Sequence, residues 1–166
     1  MQDFKKRFNK IYDEKVERIY RFIFLKVNSQ DVAQDLTSEA FLRLWDILNR
    51  DPNLEIENPN AFLYQISRNL IIDHYRQKGQ FQLVSTDSVE INDPRMNLEK
   101  SAFLDSDVQR IQKAIEGLKE EYQDVIIWYY LDELSIPEIA KILNKSENNV
   151  RVTIHRALNS LREKLS

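Results

Sequence analysis

Near the C-terminus, the stretch SENNVRVTIHRAL over residues 146–158 holds two amides, two arginines and a valine that stand outside any apolar stripe. At about 100° per residue, Val150, Ile154, Ala157, Leu161 and Leu165 fall on one side of a helix. The opposite side then carries Asn148, Val152, Asn159 and Glu163, with Asn149 and Arg156 on one flank and Arg151 and His155 toward the other. Amides can bond adenine edges in pairs, arginine can take guanine or phosphate, and valine can touch a thymine methyl. Glutamates in the same places would repel phosphate. The plain alternative is the solvated face of a helical hairpin.

Other chemistry finds little support. His74 and His155 lie far apart without the spacing of a metal-binding helix, and Asp73 and His74 are adjacent and so point to different faces. With no cysteine there is no disulfide, thiolate nucleophile or cysteine-held zinc, and two glycines build no phosphate-cradling loop. The sequence therefore reads as a non-enzyme with no catalytic group, cofactor or metal. No run of 18 apolar residues exists, and the opening MQDFKKRFNK lacks the apolar core of a signal peptide, so a cytoplasmic protein with no membrane attachment is expected.

The elements that must position these side chains are helices. Phe4, Phe8, Ile11, Ile19 and Ile23 predict a first helix over about 3–26. Ser29 is a suitable N-cap for a second, with Ala33, Leu36, Ala40, Leu44 and Ile47 inward to about residue 48. Asn58 and Pro59 open a third, with Leu63, Ile66 and Leu70 inward and an end near Gly79. Periodicity then lapses over 79–104, which reads as an acidic linker. Two helices are expected over about 105–132. Ser135-Ile136-Pro137-Glu138 opens a short helix to about 143, and Asn144-Lys145 turns into a last helix capped by Ser146. The fold class is all-α: an N-terminal three-helix bundle over 1–78 and a C-terminal four-helix helix-turn-helix domain over 105–166, joined by a flexible linker.

A short helix, a tight turn and a longer helix can place the second helix in a major groove. The whole span SIPEIAKILNKSENNVRVTIHRALNSLREKL resembles the promoter-binding end of bacterial RNA polymerase sigma factors of the extracytoplasmic-function (ECF) type. DLTSEAFLRLW resembles the segment by which that family grips the polymerase clamp, and NPNAFLYQISRNLIIDHYR the segment that melts the downstream promoter element. The resemblance implies an initiation factor that binds core RNA polymerase, reads an upstream element in duplex DNA and opens the downstream one, as a monomer on the polymerase. It assigns Ser146, Asn148, Asn149, Arg151, Val152, Thr153 and Arg156 to the upstream element. Asn58, Asn60, Phe62, Tyr64, Gln65, Arg68, Asn69 and Arg76 go to the downstream element, and Asp35, Ser38, Glu39, Leu42, Arg43, Trp45 and Asp46 to the polymerase. An anti-sigma factor or a recruiting protein is the expected regulator. The competing reading is a stand-alone dimeric helix-turn-helix regulator, whose two recognition helices would span a pseudo-palindrome.

Residue chemistry agrees with these assignments. In the second helix Leu42 stands outward among Asp35, Ser38, Glu39 and Asp46, an apolar anchor in an acidic face suited to a basic partner. Tyr64, Gln65, Arg68, Ile72, Tyr75 and Arg76 are expected on the outward side of the third, where rings stack bases and arginines hold phosphates. Asn58 reads equally well as a helix cap, and Phe62 as core. Relatives often carry basic residues where Thr153, Leu158, Asn159 and Ser160 stand, so weak autonomous promoter binding is expected. Residues 81–145 hold 7 basic and 13 acidic side chains, against 10 and 8 in residues 1–50. Fully extended, a linker over 79–104 would reach about 85–95 Å, enough to join two elements about 70 Å apart on DNA.

Overall fold

The computed structural model describes residues 2–56, 58–84 and 106–166, and there the periodic stretches become helices throughout. Three build the N-terminal half: α1 (Gln2–Val27), α2 (Gln30–Arg50) and α3 (Pro59–Val84). Four build the C-terminal half: α4 (Ser106–Glu116), α5 (Glu120–Ile126, continued by a π turn over Ile127–Leu131), α6 (Ile136–Leu143) and α7 (Glu147–Leu165).

Local chemistry sets most boundaries. Asn28 ends α1 in the left-handed region (φ 56°), its N–H reaching the Phe24 carbonyl at 2.8 Å, a conformation asparagine tolerates better than most residues. One residue on, the Ser29 hydroxyl accepts from the Val32 N–H and starts α2. Ser135 and Glu138 form a complete capping box on α6, Asn144 turns left-handed (φ 54°) at its end, and Ser146 caps α7 through the Asn149 N–H. Removing the Ser135 hydroxyl (Ser135→Ala) is expected to cost about 1 kcal/mol, read as a lower thermal midpoint with the helical content unchanged.

The third helix does not end near Gly79 but runs to Val84. A helical glycine costs only about 1 kcal/mol relative to alanine, and nothing crowds the position where a Gly79 side chain would stand. The remainder of the expected linker, from residue 85 to 104, lies outside the described residues.

Inside the N-terminal half, Ile19, Ile23, Ala33, Phe41, Leu44, Leu48, Leu63 and Ile71 are fully or nearly fully buried. The α2 stripe is rotated from the expected one: Phe41 and Leu48 are in the core, while Leu36 and Ile47 are half-buried. In the C-terminal half, Ile115, Val125, Ile126, Ile139, Ile142, Val150, Ile154 and Ala157 pack together, and Leu165 stays exposed at the chain end. The two halves do not stand apart. Phe22 of α1 stacks on Trp128 of α5 with ring centroids 5.4 Å apart, and Tyr64 of α3 meets both rings, so one continuous apolar cluster runs through the described residues.

Candidate nucleic-acid interface

Burying Val150, Ile154 and Ala157 forces the other side of α7 outward. There Ser146, Asn148, Asn149, Val152, Thr153 and Arg156 line one shallow, open depression at the start of the helix. Six of the seven residues expected at the upstream element thus share a single surface, and Arg151 is exposed beside it. Val152 is 40% exposed, an apolar side chain standing among amides and arginine. The Thr153 hydroxyl donates to the Asn149 carbonyl at 2.9 Å, which ties its side chain to its own helix.

On α2 the acidic face has the expected form. Asp35, Ser38, Glu39, Arg43 and Asp46 are exposed and Leu42 is 55% exposed among them. Trp45 is half-buried, its ring edge-on to Phe4 and Phe8 at 5.1 Å, so it supports this face from below.

The third helix departs from expectation. Tyr64 is not outward but fully buried, and its hydroxyl donates to Asp132 Oδ2 at 2.5 Å. Gln65 donates to the carbonyls of Lys141 and Ile142, both at 3.0 Å. The Asn60 amide donates to Glu138 at 3.4 Å, and Arg68 pairs with Asp124 at 3.2 Å. Four of the eight residues expected at the downstream element therefore bond to the C-terminal half; Tyr64 is buried there, Asn60 and Arg68 are half-buried, and Gln65 stays exposed. Periodicity places a residue on a face but cannot tell solvent from another domain. Of the rest, Asn69 and Arg76 are exposed, Phe62 is half-buried, and Asn58 caps α3 by accepting from the Ala61 N–H at 3.1 Å.

Three groups unforeseen from the sequence complete the arrangement. Arg7 donates to the Pro52 carbonyl at 3.0 Å and the Leu54 carbonyl at 2.5 Å, fixing the loop before α3 against α1. Lys26 stands 2.9 Å from Asp124 as an ion pair whose side chains are 3% and 1% exposed. Arg21 pairs with Asp132 and also donates to the Leu131 carbonyl at 3.1 Å. The clue available in advance was DVIIWYYLD, residues 124–132, where two carboxylates flank an otherwise apolar run. A spacing of four residues drifts about 40° around an α-helix. The wider π turn, closed by the Asp132 N–H on the Ile127 carbonyl at 2.9 Å, takes that drift back. Asp124, Trp128 and Asp132 consequently all face the N-terminal half.

Electrostatics follow from this burial. Desolvation pushes the Asp124 carboxyl up from its ordinary value against the pull of Lys26 and Arg68. The Tyr64 phenol is raised, first by burial and then by Asp132, so it stays a donor. Burial also works to raise Glu138, but bonds from the Ser135 N–H and hydroxyl and from Asn60 outweigh it and hold the carboxyl low. His74 is lowered by burial and by Lys78. Among the described residues no group of three or more histidine, aspartate or glutamate side chains is placed to hold a metal ion, and no helix is long and apolar enough to cross a membrane.

Comparison with known proteins adds to this geometry. Residues 11–81 match the family model for sigma-70 region 2 and residues 108–161 that for sigma-70 region 4. The ECF RNA polymerase sigma factor SigW of Bacillus subtilis (strain 168) is 30% identical over 175 residues, covering 95% of this chain and 88% of its own. The ECF RNA polymerase sigma factor BldN of Streptomyces coelicolor is 27% identical over 157 residues, covering 93% of this chain but only 58% of BldN. In fold, the chain is similar to the sigma factor RpoE solved with the anti-sigma factor NepR from Bartonella quintana. Their TM-score is 0.73 at 22% identity, over 99% of this chain and 98% of that one. CnrH, solved with the cytosolic domain of CnrY, gives a TM-score of 0.66 at 18% identity, over 97% and 88% of the two chains.

Proposed function

The chain belongs to the ECF sigma factors of RNA polymerase, transcription initiation factors that direct the core enzyme to promoters, and from that premise we propose which surface performs which step. The α7 depression reads the upstream element in the major groove. Asn148 and Asn149 bond base edges, Val152 packs on a thymine methyl, Arg151 takes phosphate or guanine, and Arg156 holds phosphate. The exposed acidic face of α2, with Leu42 as its anchor, seats on the polymerase. Asn58 and Phe62, with the α3 residues Asn60, Tyr64, Gln65, Arg68, Asn69 and Arg76, capture the melted downstream element once Asn60, Tyr64, Gln65 and Arg68 have given up their bonds to the C-terminal half. The chemistry of RNA synthesis stays with the polymerase. This chain contributes binding and positioning only, and it works in the cytoplasm where the polymerase does.

The observation that carries this reading is the sharing of one exposed surface by Ser146, Asn148, Asn149, Val152, Thr153 and Arg156 at the start of a capped helix. Both regions of the family being present in one chain favours the sigma factor over a dimeric regulator, which needs only the helix-turn-helix. In vitro transcription with core polymerase tests it: start sites are expected only with the chain added, and an unchanged transcript pattern rejects it. An anti-sigma protein is the expected regulator; the similarly folded RpoE was solved with one, NepR.

Within the upstream reader the two chemistries separate. Asn149→Ala is expected to cost about 1–3 kcal/mol at one base position and relax specificity there. Arg156→Ala is expected to weaken all sequences alike and reduce the salt slope of binding by about 1. Competition binding against single-base promoter variants over a salt series measures both. A band shift with the isolated chain is expected to be weak at physiological salt, because Thr153, Leu158, Asn159 and Ser160 supply no cation to the backbone.

A further inference from the structure

The depression that faces DNA lies at the start of α7, and a second cleft lies at its end. There α4 and α7 enclose a space of about 280 Å³ lined by Arg110, Lys113, Ala114, Lys164 and Leu165. Residues three apart share a helix face, so Arg110 and Lys113 stand side by side on α4, and Lys164 comes from the last turn of α7. All three cations are exposed. Among the described residues no carboxylate lines the cleft, and none of the three makes an ion pair. We propose that this cleft binds a compact polyphosphate anion, one that carries more than one negative charge. Its volume falls just below the range of about 300–1,000 Å³ usual for small-molecule sites, which suits a small anion and not an extended acidic peptide.

Three observations support a built site. First, Gly117, one of only two glycines in the chain, is not needed for its backbone, because its φ is not positive. Its missing side chain leaves room for another: a Cβ there would stand 3.1 Å from the Lys164 ammonium nitrogen and 3.2 Å from its Cε. Lys164 therefore lies across the junction of α4 and α5, which sets its charge at the cleft. Second, helix ends explain only part of the cluster. A helix C-terminus attracts cations within its last turn, which suits Lys113 and Lys164, but Arg110 lies more than a turn before the end of α4. Like charges gathered without a counter-ion repel one another, and a bound anion removes that repulsion. Third, a guanidinium fork beside two compact ammonium groups matches the oxygens of phosphate. The DNA backbone is not the source of that phosphate. At 1.5 Å per residue the 19 residues of α7 span about 28 Å, so a helix entering by its start carries its end clear of a major groove about 8.5 Å deep; this choice of a free anion rests on the reading of α7 as the upstream reader. A bound anion joins α4 to the end of α7 and stabilises the C-terminal half by mass action.

The test is calorimetric titration of the full chain with sodium pyrophosphate in buffer free of divalent cations. The parent is expected to bind with a Kd below about 1 mM. Lys164→Gln and Arg110→Gln are each expected to weaken binding at least about tenfold. Gly117→Val keeps every charge and fills only the space under Lys164, and it is expected to weaken binding at least about fivefold. Arg162→Gln removes an exposed α7 cation that does not line the cleft and is expected to leave the affinity unchanged. All four positions are exposed, so thermal midpoints without the anion are expected to stay close to the parent's. No binding by the parent overturns the proposal, as does parental affinity in Gly117→Val or an equal loss from Arg162→Gln and Lys164→Gln. Citrate binding as tightly as pyrophosphate overturns the assignment to phosphate. Lys164→Gln is also expected to leave the salt slope of promoter binding unchanged; a slope reduced by about 1 would make the cleft a DNA-backbone contact and overturn the free-anion site. Failure of the chain to direct initiation by core polymerase would instead remove the upstream reader and leave the pyrophosphate titration standing.

Discussion

Replacing Glu39 and Asp46 together by arginine is expected to weaken binding to core RNA polymerase about a hundredfold, the equivalent of about 2.7 kcal/mol. Both carboxylates are exposed on α2 on either side of Leu42, itself 55% exposed. Reversal converts attraction for a basic surface into like-charge contact, which costs several kcal/mol when desolvated. Leu42→Ala is expected to cost about 1–2 kcal/mol by removing the apolar anchor. The folded chain itself is barely affected, because Glu39 makes only an exposed pair with Arg43 at 3.4 Å and such pairs contribute little. Fluorescence-detected binding to core polymerase, with thermal midpoints in parallel, separates the two effects. Parental affinity in the doubly reversed chain would move the polymerase contact elsewhere.

Trp128→Ala is expected to destabilise the chain by about 3–5 kcal/mol, through the lost burial and the cavity left behind. Trp128 is completely buried and touches Phe22 and Tyr64 of the other half. The same substitution therefore damages the C-terminal core and the seal between the halves. For a chain of this size the midpoint is expected to fall by roughly 6–20 °C, at about 2–4 °C per kcal/mol. Trp128→Phe is expected to cost much less, because it keeps an aromatic ring against Phe22 and removes an indole N–H that finds no acceptor among the described residues. Equal losses for alanine and phenylalanine, read by calorimetry, would contradict this packing.

The exposed face of α7, proposed to read the upstream element, was legible because its grammar is local. Ser135, Glu138 and Asn144 fix both ends of α6 and Ser146 the start of α7 through bonds no longer than one turn, and the stripe of Val150, Ile154 and Ala157 then decides which side of α7 faces out. Leu42 among carboxylates was legible for the same reason. The surroundings of the α3 residues proposed for the downstream element were not. Tyr64 and Arg68 carry the residue types of a nucleic-acid surface, yet their partners, Asp132 and Asp124, lie 68 and 56 positions away. No periodicity within α3 encodes such a contact.

By itself the sequence determined the helical class, the order of the elements, their caps and the family to which they belong, since all of these rest on neighbours within a turn or two along the chain. Only the tertiary structure decided that the halves close on each other, that Lys26 and Arg21 matter, and that a π turn aligns Asp124, Trp128 and Asp132. Those outcomes depend on pairing buried charges across the fold, where an ion is tolerated only beside its counter-ion and the counter-ion's place is set by packing.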